Sequence, residues 1–290
     1  MTLKNSGLSR FFLGSWLSIV CGLLPLELLA WTEVRDFNVG VLGTKVNMEA
    51  QGNTVLDNGQ VLEGAMSARL TSTEGETGYG TWGGIITHPE RLGKGDEVWF
   101  RVNVFFPAGF DYHSYGEGNR LKFLRFSTLS AAGNNEGYND IYIDQKGSPV
   151  SFKYIKESGG SGWRDLADSG KLPEYGVWET YEFYVKFDNV SLDDGGMAVV
   201  RFWKNGKLLK QVTDQYTLNN NDSYSARTLL FTYWNGGAPK TQSMWVDDVI
   251  LTSDQPAALD EYGNPYIGVR QGTYSMPAPS APQRLSVTPN

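Results

Sequence analysis

Arg120, Lys122 and Arg125 stand within one apolar run, GNRLKFLRFST, from Gly118 to Thr128. The chain around them has a formal charge of −7, with 25 Lys and Arg against 32 Asp and Glu. Cations in an apolar β-type run are unfavourable unless they are paired or receive an anionic ligand. The flanks read FFPAGFDY before the run and GYNDIYIDQKG after it. This pattern predicts a cationic strand on the floor of a cleft that takes an acidic polymer. Strand alternation places Arg120 and Lys122 on one face. It turns Arg125 to the other face, toward an internal carboxylate, unless a bulge intervenes.

The same alternation sorts the neighbouring segments. Asp140, Tyr142 and Asp144 share a face opposite Ile141 and Ile143. Phe152, Tyr154 and Lys156 oppose Ser151, Lys153 and Ile155. Thr232 and Trp234 oppose Phe231 and Tyr233. Faces made of Arg, Lys, Tyr, Trp and Asn suit a saccharide, because rings stack on sugar faces and cations meet carboxylates or sulfates. Trp163 and Trp234 are the candidate stacking rings. Arg120, Arg125, Asn235 and Gln242 are the candidate polar contacts. Two histidines complete the set: His88 ends GGIITH, and His113 sits in DYHSYGEG.

Asp140 and Asp144 would be the acid and base of a glycoside hydrolase. Four residues of strand separate them by about 13 Å, too far for either hydrolase geometry. Glu182 is the alternative partner. Asp248 shares its face with Met244, Val246 and Ile250, so it is expected to point inward and to need a partner. A structural calcium shared with Asp36 or Glu33 is one solution, and backbone N–H groups are the other. No Cys/His zinc spacing, phosphate loop or Ser-His-Asp signature is present, and no cofactor is required.

The elements that must position these residues are strands. EVWFRVNVFF, from Glu97 to Phe106, alternates Val98, Phe100, Val102 and Val104 against Trp99, Arg101 and Asn103. WETYEFYVKF does the same from Trp178 to Phe187. Lys204-Asn205-Gly206-Lys207 predicts a tight hairpin turn. Leu229 to Trp234 and Ser243 to Leu251 read as further strands. Many strands separated by Gly, Asn and Asp turns, with 34 Gly in the chain, predict an all-β sandwich or jelly roll of two antiparallel sheets.

Residues 1–30 read as a signal segment, with Lys4 and Arg10 before an apolar run that ends at Ala30. A membrane anchor is the alternative, which Pro25 and Glu27 oppose. Cys21, the only cysteine, lies inside that segment. Residues 31–268 form the predicted sandwich. Residues 269–290 form a Pro- and Ser-rich tail whose APQRLSVTPN resembles the first strand of a fibronectin type III module. The acidic balance argues against nucleic-acid binding. The expectation is a secreted or periplasmic monomer that is not held in a membrane once the signal is removed.

FPAGFDYHSYGEGNRLKFLRF (Phe106 to Phe126) and FTYWNGGAPKTQSMWVDDVIL (Phe231 to Leu251) carry a family resemblance. The chain resembles the β-jelly-roll polysaccharide lyases of alginate and glucuronan, within the concanavalin A-like superfamily, with heparin lyase I more distant. It departs from them where Leu121-Lys122-Phe123-Leu124-Arg125 replaces a Gly-Lys-Leu-Pro-Gly bend. The resemblance implies β-elimination on a uronic-acid polymer. That reaction needs a neutraliser for the carboxylate, a base for the C5 proton and an acid for the leaving oxygen. Lys122, Arg120, Asn235 and Gln242 are the neutralisers it suggests. Tyr142 leads for proton transfer, with Lys122, His88 and His113 as the other catalytic candidates. A carbohydrate-binding or matrix protein with the same cleft, and a glycoside hydrolase, stand as alternatives.

Overall fold

The alternation in EVWFRVNVF gives one strand two unlike faces. Val98, Phe100, Val102 and Val104 are buried in the main core, and Trp99 belongs to a second apolar cluster on the opposite side. The structure, a computed structural model, describes residues 30–46, 54–77, 83–113, 120–144, 150–159, 162–166, 173–230 and 233–269. The expected signal segment, 1–30, with Cys21, and the expected tail, 269–290, therefore lie outside the described residues, apart from residues 30 and 269.

The first seven strands are β1 (Thr32–Arg35), β2 (Thr54–Asp57), β3 (Ser67–Ser72), β4 (Gly84–Leu92), β5 (Glu97–Phe105), β6 (Arg120–Leu129) and β7 (Asn135–Asp144). The rest are β8 (Ser151–Lys156), β9 (Arg164–Asp165), β10 (Trp178–Lys186), β11 (Val199–Lys204), β12 (Lys207–Val212), β13 (Ser225–Leu230) and β14 (Gln242–Thr252). One sheet runs β12-β11-β10-β5-β14-β3-β2, with β1 added against β14. The other runs β4-β13-β6-β7-β8-β9. Each strand pairing is antiparallel, so the all-β sandwich expected from the turns is the fold observed. Asn205 and Gly206 both take positive φ, 49° and 76°, as the predicted β11–β12 hairpin turn requires.

Aromatic rings from the two inner faces meet between the sheets. Phe126 lies 4.8 Å from Phe183 and 6.1 Å from Phe100, and Phe123 lies 5.1 Å from Tyr181. Burying each such ring contributes about 2 kcal/mol. This core fixes the inner face of β6 and thereby the direction of every side chain on its outer face.

After β14 the chain runs back over the outer face of the larger sheet. The backbone N–H groups of Ile267 and Gly268 donate to the Glu182 carboxylate at 2.7 and 2.9 Å. The Trp99 indole donates to Pro265 O at 3.0 Å, and the Trp203 indole to Asp260 at 2.9 Å. Glu182 is therefore a fastener on the sheet opposite β6, and not a partner for Asp140.

Candidate active site on the six-stranded sheet

Strand register sets three rungs side by side on the outer face of β6 and β7. Arg120 faces Asp144, Lys122 faces Tyr142, and Arg125 faces Asp140. Strict alternation cannot place Lys122 and Arg125 together, because they are three residues apart. A bulge does it. Lys122 pairs with Tyr142 while Leu124 pairs with Ile141, so Phe123 is the extra residue. Leu121, Phe123, Leu124 and Phe126 all point into the core, and Arg125 returns to the face of Lys122. The expected partner of Arg125 is present: its Nε donates to the internal carboxylate of Asp140.

Glu157 joins the rungs. It follows β8 in a turn and reaches back across β7 to β6. Its Oε1 accepts from Lys122 Nζ at 2.8 Å and from the Tyr142 hydroxyl at 2.8 Å. Its Oε2 accepts from Arg125 at 3.2 Å. Lys122 Nζ also donates to the Tyr233 hydroxyl oxygen at 3.1 Å. The Arg125 guanidinium lies 3.7 Å from the centre of the Tyr138 ring. At the margin, Arg120 donates to Asp144 at 3.1 Å and stacks 4.3 Å over Trp163, whose ring meets Tyr142 edge-on at 4.9 Å.

Burial and charge pull the two acids apart. Burial pushes Glu157 up, but Arg125 and Lys122 outweigh it and hold its carboxyl at about 2. Complete burial, with the Glu157 charge adding to it, outweighs Arg125 and raises Asp140 to about 7. Burial, then Asp140 and Glu157, also push Tyr142 far above its ordinary value, so it remains a phenol and a proton donor. A carboxylic acid and a carboxylate beside one another would suit a hydrolase. However, Asp140 is wholly buried and Asp144 nearly so, each in ion pairs. Neither can reach a glycosidic oxygen from that position.

Several expected site residues lie elsewhere. Trp234 is fully buried in the main core, stacked on Phe110, with its indole donating to Tyr112 O at 2.9 Å. It is no sugar platform. Residues 233 and 234 do lie on opposite faces, but it is Tyr233 that stands on the site face and Trp234 that enters the core. His88 is buried between Trp31 and Phe126 and bonds Thr228 at 2.8 Å. His113 is exposed and bonds Asp111, two residues away. Both ends of the Gln242 amide bond the backbone of Asp111, at 2.9 and 2.7 Å. Asn235 is exposed in the turn after Trp234. Residues 114–119, which include most of DYHSYGEG, lie outside the described residues.

Asp248 also faces away from its expected side. A second bulge, between Asp247 and Ile250, breaks the alternation of β14, and Asp248 takes φ +46°. Its carboxylate lies with Arg101 and Asn103 on the outer face of the larger sheet, where Arg101 donates to it. Arg101 thus supplies that carboxylate with a cationic partner. Asp36 accepts from the backbone of Asn38 at 3.2 Å. Among the described residues no group of three His, Cys, Asp or Glu is placed to hold a metal.

Comparison with solved structures gives the fold. A glucuronan lyase from the fungus Trichoderma reesei matches with a TM-score of 0.51 and 15% identity, over 76% of this chain and 94% of that one. Alginate lyase Aly36B matches with 0.55 and 14%, over 76% and 96%. The cellulose-induced protein Cip1 matches with 0.50 and 16%, over 77% and 97%. The fold is the lyase-type β-jelly roll. No family model matches the sequence, and no curated protein matches it. In this jelly roll the Lys122 cluster occupies the outer face of the six-stranded sheet.

Proposed function

We propose that the chain is a lyase that cleaves an acidic, uronic-acid polysaccharide by β-elimination, working outside the cytoplasm as a secreted or periplasmic monomer. The observation that carries this reading is the contact of Lys122 Nζ with Tyr233 at 3.1 Å, and its sharing of Glu157 with Tyr142. One ammonium thus stands between two phenols. In the proposed reaction Lys122 and Arg125 draw in the sugar carboxylate and make the C5 proton acidic. Tyr233, acting as the phenolate after its own proton has passed to solvent, takes that proton, its oxygen already oriented by Lys122. Tyr142, held as a phenol, protonates the leaving oxygen. Trp163, 36% exposed and backed by Arg120, offers a stacking surface. Support for the substrate class comes from the neighbours of like fold, which include a glucuronan lyase and an Aly36B variant in complex with alginate tetrasaccharide.

The test is ultraviolet absorbance of the unsaturated uronate product, followed on alginate, glucuronan and heparin. A rise on one of them is expected, and no rise on any would overturn the reading. Binding without cleavage is the second reading. The pairing of Lys122 with Glu157, Arg125 with Asp140 and Arg120 with Asp144 favours it, since each cation already has a carboxylate. Retarded migration in a gel containing the polymer, with no absorbance rise, would support it.

A further inference from the structure

Glu157 brings to the site a carboxylate that the chain supplies itself. Its three donors come from two strands: the ammonium of Lys122 and the guanidinium of Arg125 on β6, and the phenol of Tyr142 on β7. The ammonium and the guanidinium, one on each oxygen of the carboxylate, are the partners that a sugar carboxylate would also require. The donors are sealed from solvent, with side-chain exposures of 6% for Lys122 and 1% for Arg125, whereas Glu157 is 25% exposed. Glu157 therefore lies between the donors and solution.

The turn that carries Glu157 is fastened from several sides. Its N–H donates to Tyr138 O at 2.8 Å. Buried Lys156 donates to Glu136 O at 3.0 Å and to Glu157 O at 2.8 Å. Gly137, at φ +87°, leaves the room: a Cβ there would stand 2.6 Å from Glu157 O. Ser158 takes φ +60°, a left-handed conformation rare outside glycine. Such strain persists where the surroundings over-determine it, and it gathers at ligand clamps and switches.

We infer that Glu157 is an internal stand-in for the carboxylate of the substrate: Lys122 and Arg125 form a carboxylate subsite that the chain keeps filled, and a uronate enters by displacing Glu157, which frees the Tyr142 hydroxyl for the leaving oxygen. This rests on the acidic-polysaccharide reading of the same site. A carboxylate held in place by a fastened turn competes at an effective concentration far above that of a free sugar acid in solution. A single sugar acid is then a poor competitor. A polymer that also stacks on Trp163 gains the further contacts needed, so the device selects polymer over monomer.

The test uses the full chain and two simple probes, sodium acetate and sodium D-glucuronate, against sodium chloride at equal ionic strength. Glu157→Ala empties the subsite. At ten times the dissociation constant its melting temperature is expected to rise by about 4 °C with either carboxylate, and the wild type is expected to show no such rise. The double variant Lys122→Ala/Glu157→Ala should lose the response, and its persistence would place carboxylate binding elsewhere and overturn the inference. If Glu157→Ala does not fold, the isosteric Glu157→Gln is titrated with glucuronate, with at least a tenfold gain in affinity over wild type expected. A variant that binds no better than wild type makes Glu157 a positioning residue and overturns the inference. Carboxylate binding by Glu157→Ala without cleavage by the wild type would keep the inference and sink the lyase reading. Cleavage by the wild type with no gain in either variant would do the reverse.

Discussion

Lys122 Nζ and Glu157 Oε1 are 2.8 Å apart, although β7 lies between the strand of one and the turn of the other. The pair spans three neighbouring segments of the sheet and draws Tyr142 and Arg125 into one polar cluster. Its members can be separated by substitution.

Lys122→Ala removes the ammonium that bonds Tyr233 and shares Glu157 with Tyr142. Turnover is expected to fall by about 10²- to 10⁴-fold, with the strand core intact. Lys122→Arg keeps the charge but not the compact donor, and it is expected to stay near the alanine level. Product absorbance and thermal melts of the two variants measure this. Near-wild-type turnover in Lys122→Ala would show that the chemistry lies elsewhere.

Tyr233 and Trp234 are chain neighbours with opposite fates. Tyr233→Phe deletes one hydroxyl beside Lys122 and should lower turnover about 100-fold while leaving stability nearly unchanged. Trp234→Ala empties a core position and should cost about 3–5 kcal/mol of stability. Denaturant titration read beside turnover separates the two. A destabilised Tyr233→Phe with full activity would contradict the assignment.

Gly137→Ala places a methyl group 2.6 Å from Glu157 O at a φ of +87°. The loss expected is about 1–3 kcal/mol, with a shift of the turn that carries Glu157. The amide resonances of Glu157 and Ser158 would report that shift, and unchanged resonances would show that the turn tolerates the side chain.

Two buried groups give stability opposite pH slopes. Burial holds His88 neutral, at about 3 against 6.5 when free. Its contribution is complete above about 6.5 and is lost as pH falls toward 3, because the unfolded chain takes the proton first. Asp140 is raised from 3.8 to about 7 by burial. Its contribution is largest below 3.8 and is lost as pH rises toward 7, because the native state keeps the proton longer. Melting curves across this range should therefore show the wild type losing ground to His88→Phe on acidification and to Asp140→Asn on alkalinisation. Parallel curves would contradict both assignments.

Period-two patterning made most of the sandwich legible in the sequence. The shared face of Asp140, Tyr142 and Asp144 follows from it directly, and the Asn205-Gly206 turn from the positive φ that those two residues tolerate. The site was legible only as far as alternation held. Nothing in Leu121-Lys122-Phe123-Leu124 marks Phe123 as the extra residue, since all four fit a strand. The bulge shows only in the pairing with Tyr142 and Ile141. The same blindness misplaced Asp248 at the bulge of β14. Trp234 was readable as an interior residue from its size, and that would have turned Tyr233 outward. Glu157 gave little signal. It ends SFKYIKE just before a Ser-Gly-Gly turn, and its partners are 15 to 35 residues away in the chain.

The fastening of Ile267 and Gly268 to Glu182 has a practical side. The chain reaches Val269 over the β11–β12 turn, where Val269 Cγ1 would be 3.4 Å from a Cβ built on Gly206. That is the back of the sandwich relative to Lys122. A bead, an electrode or a fused partner attached just downstream of that point would start from the rear. The face that carries Lys122 would remain on the side away from the support.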